Sequence, residues 1–157
     1  MTDIIIVGIG NRYRGDDGAG WAVIDKLSAK IGHVIKLIKL RGDIAELIDI
    51  FANYKSVYLI DACLSNAHIE SWKRIDLNKQ TVIEENLQTS THGFSVSQAI
   101  SLAKNLNRLP DNFILYMISG DNYNISDQLS PPVAGSVAQV VKALLNEEDI
   151  KACMNKA

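Results

Sequence analysis

The chain has 157 residues, 47% of them hydrophobic and 22% charged, with a formal charge of −2 at pH 7. That length suits one domain over residues 1–157 with a substantial core, and the composition is that of an ordinary soluble globular protein. The weak negative charge argues against a general nucleic-acid surface, and no stretch approaches the roughly 20 apolar residues of a membrane span. Asp3 precedes an apolar run too short for a signal peptide. Cys63 and Cys153, the two cysteines, make no disulfide framework. The expected location is the cytoplasm.

The first strand is the β-branched run at 4–7, closed by Gly8. A glycine-rich loop follows, with glycines at 8, 10, 15, 18 and 20 and adjacent acids at Asp16 and Asp17. Val23, Ile24 and Leu27 then share one helical face, which sets the loop between a strand and a helix, where open α/β sheets bind ligands. A dinucleotide fingerprint needs G-x-G-x-x-G and a later acid; here the third glycine is late, and Lys39-Leu40-Arg41 stands where the acid would be. Two carboxylates repel phosphate, so the loop suits a cation better. Asp16 is the weaker candidate of the two and is expected to cap or hydrogen-bond the glycine loop, with Asn11 bridging it through the amide.

Gly32 stops the first helix. A second strand spans 34–40. Asp43 caps a helix whose apolar face is Ile44, Leu47, Ile48 and Phe51. A third strand, 56–60, ends at Asp61. The stretch to Asn66 is too short for a crossover helix, so the strand predicted at 69–77 is an edge strand not parallel to its predecessor. Residues 82–90 form a loop. Ser95 caps a third helix carrying Val96, Ala99, Ile100 and Ala103. A strand at 113–118 and a polar loop at 119–128 come next. Ser130 and Pro131 start the last helix, with Val133, Val137, Val140, Val141 and Leu144 inward. The charged tail after Asn146 is expected to fray. The alternation predicts an α/β protein: a three-layer α/β/α sandwich around a mostly parallel five-stranded sheet with one antiparallel edge strand. A 2-1-3 strand order would bring Asp17 and Asp61 to one rim.

Asp61 closes an apolar strand, and His92 precedes a helix in a polar loop. Each has an ordinary reading as a cap or surface residue. With Asp17 they make an O/O/N set that suits a borderline divalent cation with open positions. No Cys-x-x-Cys or His-x3-His pair supports a closed zinc site. His33 and His68 lack a rim acid, and Cys63 fits a small packed residue. Arg12, Arg14 and Lys73 fit a solvated surface.

Gly8-x-Gly10-Asn11, Asp16-Asp17-Gly18, Asp61-Ala62, Thr91-His92-Gly93 and Leu129-Ser130-Pro131-Pro132-Val133 together resemble the hydrogenase maturation endopeptidases, in order and spacing across nearly the whole chain. The resemblance implies a nickel-dependent hydrolase that cuts a C-terminal extension from the precursor of a [NiFe]-hydrogenase large subunit after nickel insertion. It implies Asp17, Asp61 and His92 as both metal-contacting and catalytic residues, with aspartate at 17 where the family often has glutamate. Nickel would arrive with the precursor, and another divalent metal could take the site in vitro. The absence of a nucleophile-elbow serine agrees with a non-covalent route. The same ligands would equally serve a non-cleaving nickel- or precursor-binding maturation factor of the same fold.

Overall fold

The computed structural model describes residues 3–64, 71–79 and 93–156. Among them five strands form one sheet: β1 (Ile4–Ile9), β2 (Lys36–Leu40), β3 (Ser56–Leu64), β4 (Trp72–Asp76) and β5 (Asn112–Gly120), in the order β2-β1-β3-β5-β4. All neighbours are parallel except β4, which runs antiparallel to β5 at the edge. The expected antiparallel edge strand is thus observed, and the order contains the 2-1-3 run that brings the ends of β1 and β3 together.

Five helices connect or follow the strands: α1 (Ala19–Ile31), α2 (Ile44–Asn53), α3 (Gly93–Asn105), α4 (Pro131–Leu145) and α5 (Glu148–Asn155). The period-2 alternation of each strand divides its side chains between two cores. Ile4, Ile6, Tyr58 and Ile60 pack with α1, α4 and Ile150 of α5 on one face. Ile5, Val7, Val57 and Leu59 pack with α2 and α3 on the other. The result is the expected α/β/α sandwich. The apolar faces predicted for α1, α3 and α4 are buried, and Asp43 caps α2 by accepting from the Ala45 and Glu46 amides.

Beyond shifts of a few residues at strand ends, three differences from expectation stand out. β3 does not end at Asp61 but continues to Leu64, because the nine-residue β5 keeps pairing with it as far as Leu64↔Gly120. α3 starts at Gly93, so Ser95 lies inside the helix and not at its cap; a cap signature locates a helix end only to within a turn. The tail after Asn146 forms α5 instead of fraying. Asp149 accepts hydrogen bonds from Ser56 Oγ (2.8 Å), Asn112 Nδ2 (3.2 Å) and the Tyr58 hydroxyl, all on the starts of β3 and β5. Glu147, just ahead of the helix, takes Arg74 Nε at 2.7 Å and the Tyr116 hydroxyl. These polar contacts, together with the buried Ile150, keep this segment in place. No helix among the described residues is long and apolar enough to cross a membrane.

Candidate functional site

β1 pairs with both β2 and β3, and the chain leaves β1 into α1, which crosses to β2. The gap between the carboxyl ends of β1 and β3 is therefore the topological switch point, where α/β sheets open a crevice. Gly20 of α1 fills that gap. A Cβ there would stand 2.6 Å from the Ile9 carbonyl oxygen and 2.7 Å from that of Ile60, so only glycine lets the helix start against both strand ends.

Asp16 and Asp17 lie in a single 3-10 turn, Gly15–Gly18, directly before α1. The turn is tied back by Asn11 N–H donating to the Asp17 carbonyl at 3.1 Å and Asp17 N–H donating to the Arg14 carbonyl at 3.2 Å. Asn11 bridges the loop as expected, its side-chain oxygen accepting from Tyr13 N–H at 3.0 Å. Asp17 is 2% exposed.

Asp61 is 1% exposed and is one residue beyond the last β1–β3 pair, Gly8↔Ile60. It stays in the ladder with β5 opposite Met117. It thus occupies a step at which the β1–β3 pairing has ended and β3 has not. Its Oδ1 accepts from the Ala62 N–H at 2.8 Å. Alternation along β3 puts it on the α2/α3 face, with Leu59 and Cys63. α3 begins on that face at Gly93, the residue after His92 in the chain. His92 itself, like His68 and the predicted loop at 82–90, lies outside the described residues.

Asp17 and Asp61 come to the same rim, and the 3-10 turn packs against β3. Among the described residues, no three His, Cys, Asp or Glu side chains form a metal-holding group. The two acids supply oxygen donors, and burial of two carboxylates is costly unless a cation or hydrogen bonds offset it. The donor chemistry fits a divalent ion that brings or finds further ligands.

Asp16 differs from its expected role. Its carboxylate, wholly buried, turns away from its own loop and accepts four hydrogen bonds from residues 121–130: the Asp121 and Asn122 amides, the Ser130 amide and the Ser130 hydroxyl, each at 2.8 Å. Burial raises its pKa, but the bonds from Ser130, Asn122 and Asp121 outweigh that and hold it below the usual carboxylate range. Ser130 stands at the N-cap of α4 as predicted, yet its side chain makes no cap bond.

Tyr123 was not singled out by the sequence pattern. Its hydroxyl donates to the Cys63 carbonyl at 2.6 Å. Burial raises its pKa first, and the charges of Cys63, Asp61, Asp17 and Asp16 add to the rise, so the phenol stays protonated beside the acids. Burial and then Asp61 push the Cys63 thiol up to about 12, which leaves it an unreactive packed residue.

Sheet, switch point and two buried rim acids define an α/β protein with acids at the carboxyl edge of its sheet. The chain belongs to the hydrogenase maturation protease family, whose model matches residues 23–147. The match starts after the glycine loop and includes Asp61 and His92. No curated protein matches in sequence. Among solved structures, the fold is similar to the hydrogenase maturating endopeptidase HybD of Escherichia coli, with 17% identity, 92% of this chain and 90% of that one covered, and a TM-score of 0.73. It is similar to the [NiFe] hydrogenase maturation protease HybD of Thermococcus kodakarensis, with 20% identity, 92% and 97% covered, and a TM-score of 0.69. The endopeptidase HycI of Escherichia coli matches at 21% identity, 95% and 94% covered, with a TM-score of 0.68.

Proposed function

We propose that the chain is the endopeptidase that removes the C-terminal extension of a [NiFe]-hydrogenase large-subunit precursor after nickel insertion. Nickel is then part of the substrate and its recognition element. The observation that supports this reading is the burial of Asp17 and Asp61 at one rim of a chain in the maturation protease family.

In this reading Asp17 and Asp61 offer oxygen donors to the ion that the precursor carries, and His92 adds a nitrogen donor. Such a mixed set is borderline in softness, which suits nickel better than a hard cation. An ion so recognised supplies Lewis acidity near the scissile carbonyl. Hydrolysis adds water to that carbonyl carbon and breaks the C–N bond. One carboxylate of the pair takes the proton from the water and returns it to the leaving amine. A second role for the acids is selection: with no cation present, two buried carboxylates repel each other and a metal-free precursor gains nothing by docking.

The test is incubation with nickel-loaded and nickel-free precursor, reading the C-terminal mass of each. Loss of the extension is expected with the loaded form only. Asp17→Ala, Asp61→Ala and His92→Ala are each expected to slow cleavage by about 100-fold or more, the scale of a lost proton-transfer group. Full cleavage by all three variants would remove the site.

A further inference from the structure

The loop between β5 and α4 is fastened to both segments that carry the rim acids. On one side it is tied to the glycine loop. Asp16 takes the four hydrogen bonds already described from Asp121, Asn122 and Ser130, at both ends of that loop. The backbones add three more: Asp16 N–H to the Asn122 carbonyl at 2.8 Å, Gly15 N–H to the Ser126 carbonyl at 2.9 Å, and Ser126 N–H to the Tyr13 carbonyl at 3.0 Å. On the other side, the Tyr123 hydroxyl holds the Cys63 carbonyl, two residues past Asp61.

The approach of the two loops is closer than most residues allow. Gly15 has φ +58°, and a Cβ there would be 2.4 Å from the Asn122 carbonyl oxygen. The late third glycine, which spoils the nucleotide fingerprint, is what lets this loop seat. Ser130 likewise gives up its own helix cap to bond Asp16. A helix start without its side-chain cap forgoes the stabilisation that such a cap gives, so the contact with Asp16 is not a by-product of starting α4.

We propose that Asp16, Ser130 and Tyr123 are positioning residues: they clamp the Asp17 turn to the end of β3 and so fix the spacing at which Asp17 and Asp61 read the precursor's nickel. The proposal rests on the function proposed above. None of the three residues contacts the metal in this scheme; they act through the two acids. Groups that orient metal ligands from outside typically contribute 10–100-fold in affinity or activity.

Two variants keep the fold and cut the clamp on opposite sides: Tyr123→Phe removes only the hydroxyl on the Asp61 side, and Ser130→Ala removes one bond on the Asp17 side. Each is expected to raise KM for the nickel-loaded precursor by about tenfold, with kcat changed far less and melting nearly unmoved. Ser130→Thr, which keeps the hydroxyl, should restore KM. Because the Ala62 N–H donates to Asp61 Oδ1, its NMR signal reports the Asp61 carboxylate directly, and Tyr123→Phe should displace it. Wild-type KM and kcat in both variants, with the Ala62 signal in place, would overturn the clamp. If the wild-type chain leaves loaded precursor intact, the proposed function falls. The Ala62 signal then decides the positioning alone: displaced by Tyr123→Phe, Tyr123 positions Asp61 without a role in reading nickel; unmoved, the clamp fails.

Discussion

At the scale of single residues, the site depends on atoms that are missing as much as on those present. Gly20 holds no side chain between the Ile9 and Ile60 carbonyls. Gly20→Ala would force a methyl into backbone oxygen on both sides, which no rotamer change can relieve. A loss of about 1–3 kcal/mol is expected from such overpacking, read from the urea midpoint; an unchanged midpoint would contradict the packing described. Asp16 yields a second prediction. Its folded pKa is depressed, so its charge stabilises the fold above the unfolded pKa, and that stabilisation is lost as pH falls through the folded value. The melting gap between wild type and Asp16→Asn should therefore be widest above about pH 4 and close on acidification. A gap that ignores pH would show that the carboxylate is not charged in the fold. What the sequence conveyed here was uneven. Asp61 stood out because an acid ends an apolar run. Tyr123 and most partners of Asp16 did not, because the Cys63 carbonyl and three of the four donors to Asp16 are backbone groups, and a backbone N–H or C=O leaves no letter in a sequence.

Among the elements, helix faces were legible and the last helix was not. Val133, Val137, Val140, Val141 and Leu144 recur at helical spacing and are all buried. α5 carries Ile150 as its one buried residue, too little for a periodic signal. The rest of its attachment is largely polar: Asp149 satisfies Ser56, Tyr58 and Asn112, and Glu147 joins Arg74 to Tyr116. Burial and the Asp149 carboxylate raise the Tyr58 pKa, so the hydroxyl remains a donor. Asp149→Ala would leave those donors without their acceptor at the sheet end opposite the rim acids. A loss of about 1–3 kcal/mol is expected, measured by denaturant unfolding, with kcat for precursor cleavage unchanged. A fall in kcat at full stability would mean that the two ends of the sheet are coupled.

For the molecule as a whole, the alternation of strands and helices conveyed the sandwich, the 2-1-3 order and the antiparallel edge, since right-handed crossovers leave few other windings. The register was less legible. Asp61 sits within β3 only because β5 is long enough to carry the ladder past the last β1–β3 pair, and strand length depends on the neighbour as well as on the strand. The two outermost strands, β2 and β4, have a further effect. Lys36 on one and Lys73 on the other are exposed, so both margins of the sheet bear positive charge. A second molecule sliding in side by side would meet like charge at either border, a safeguard against runaway strand stacking.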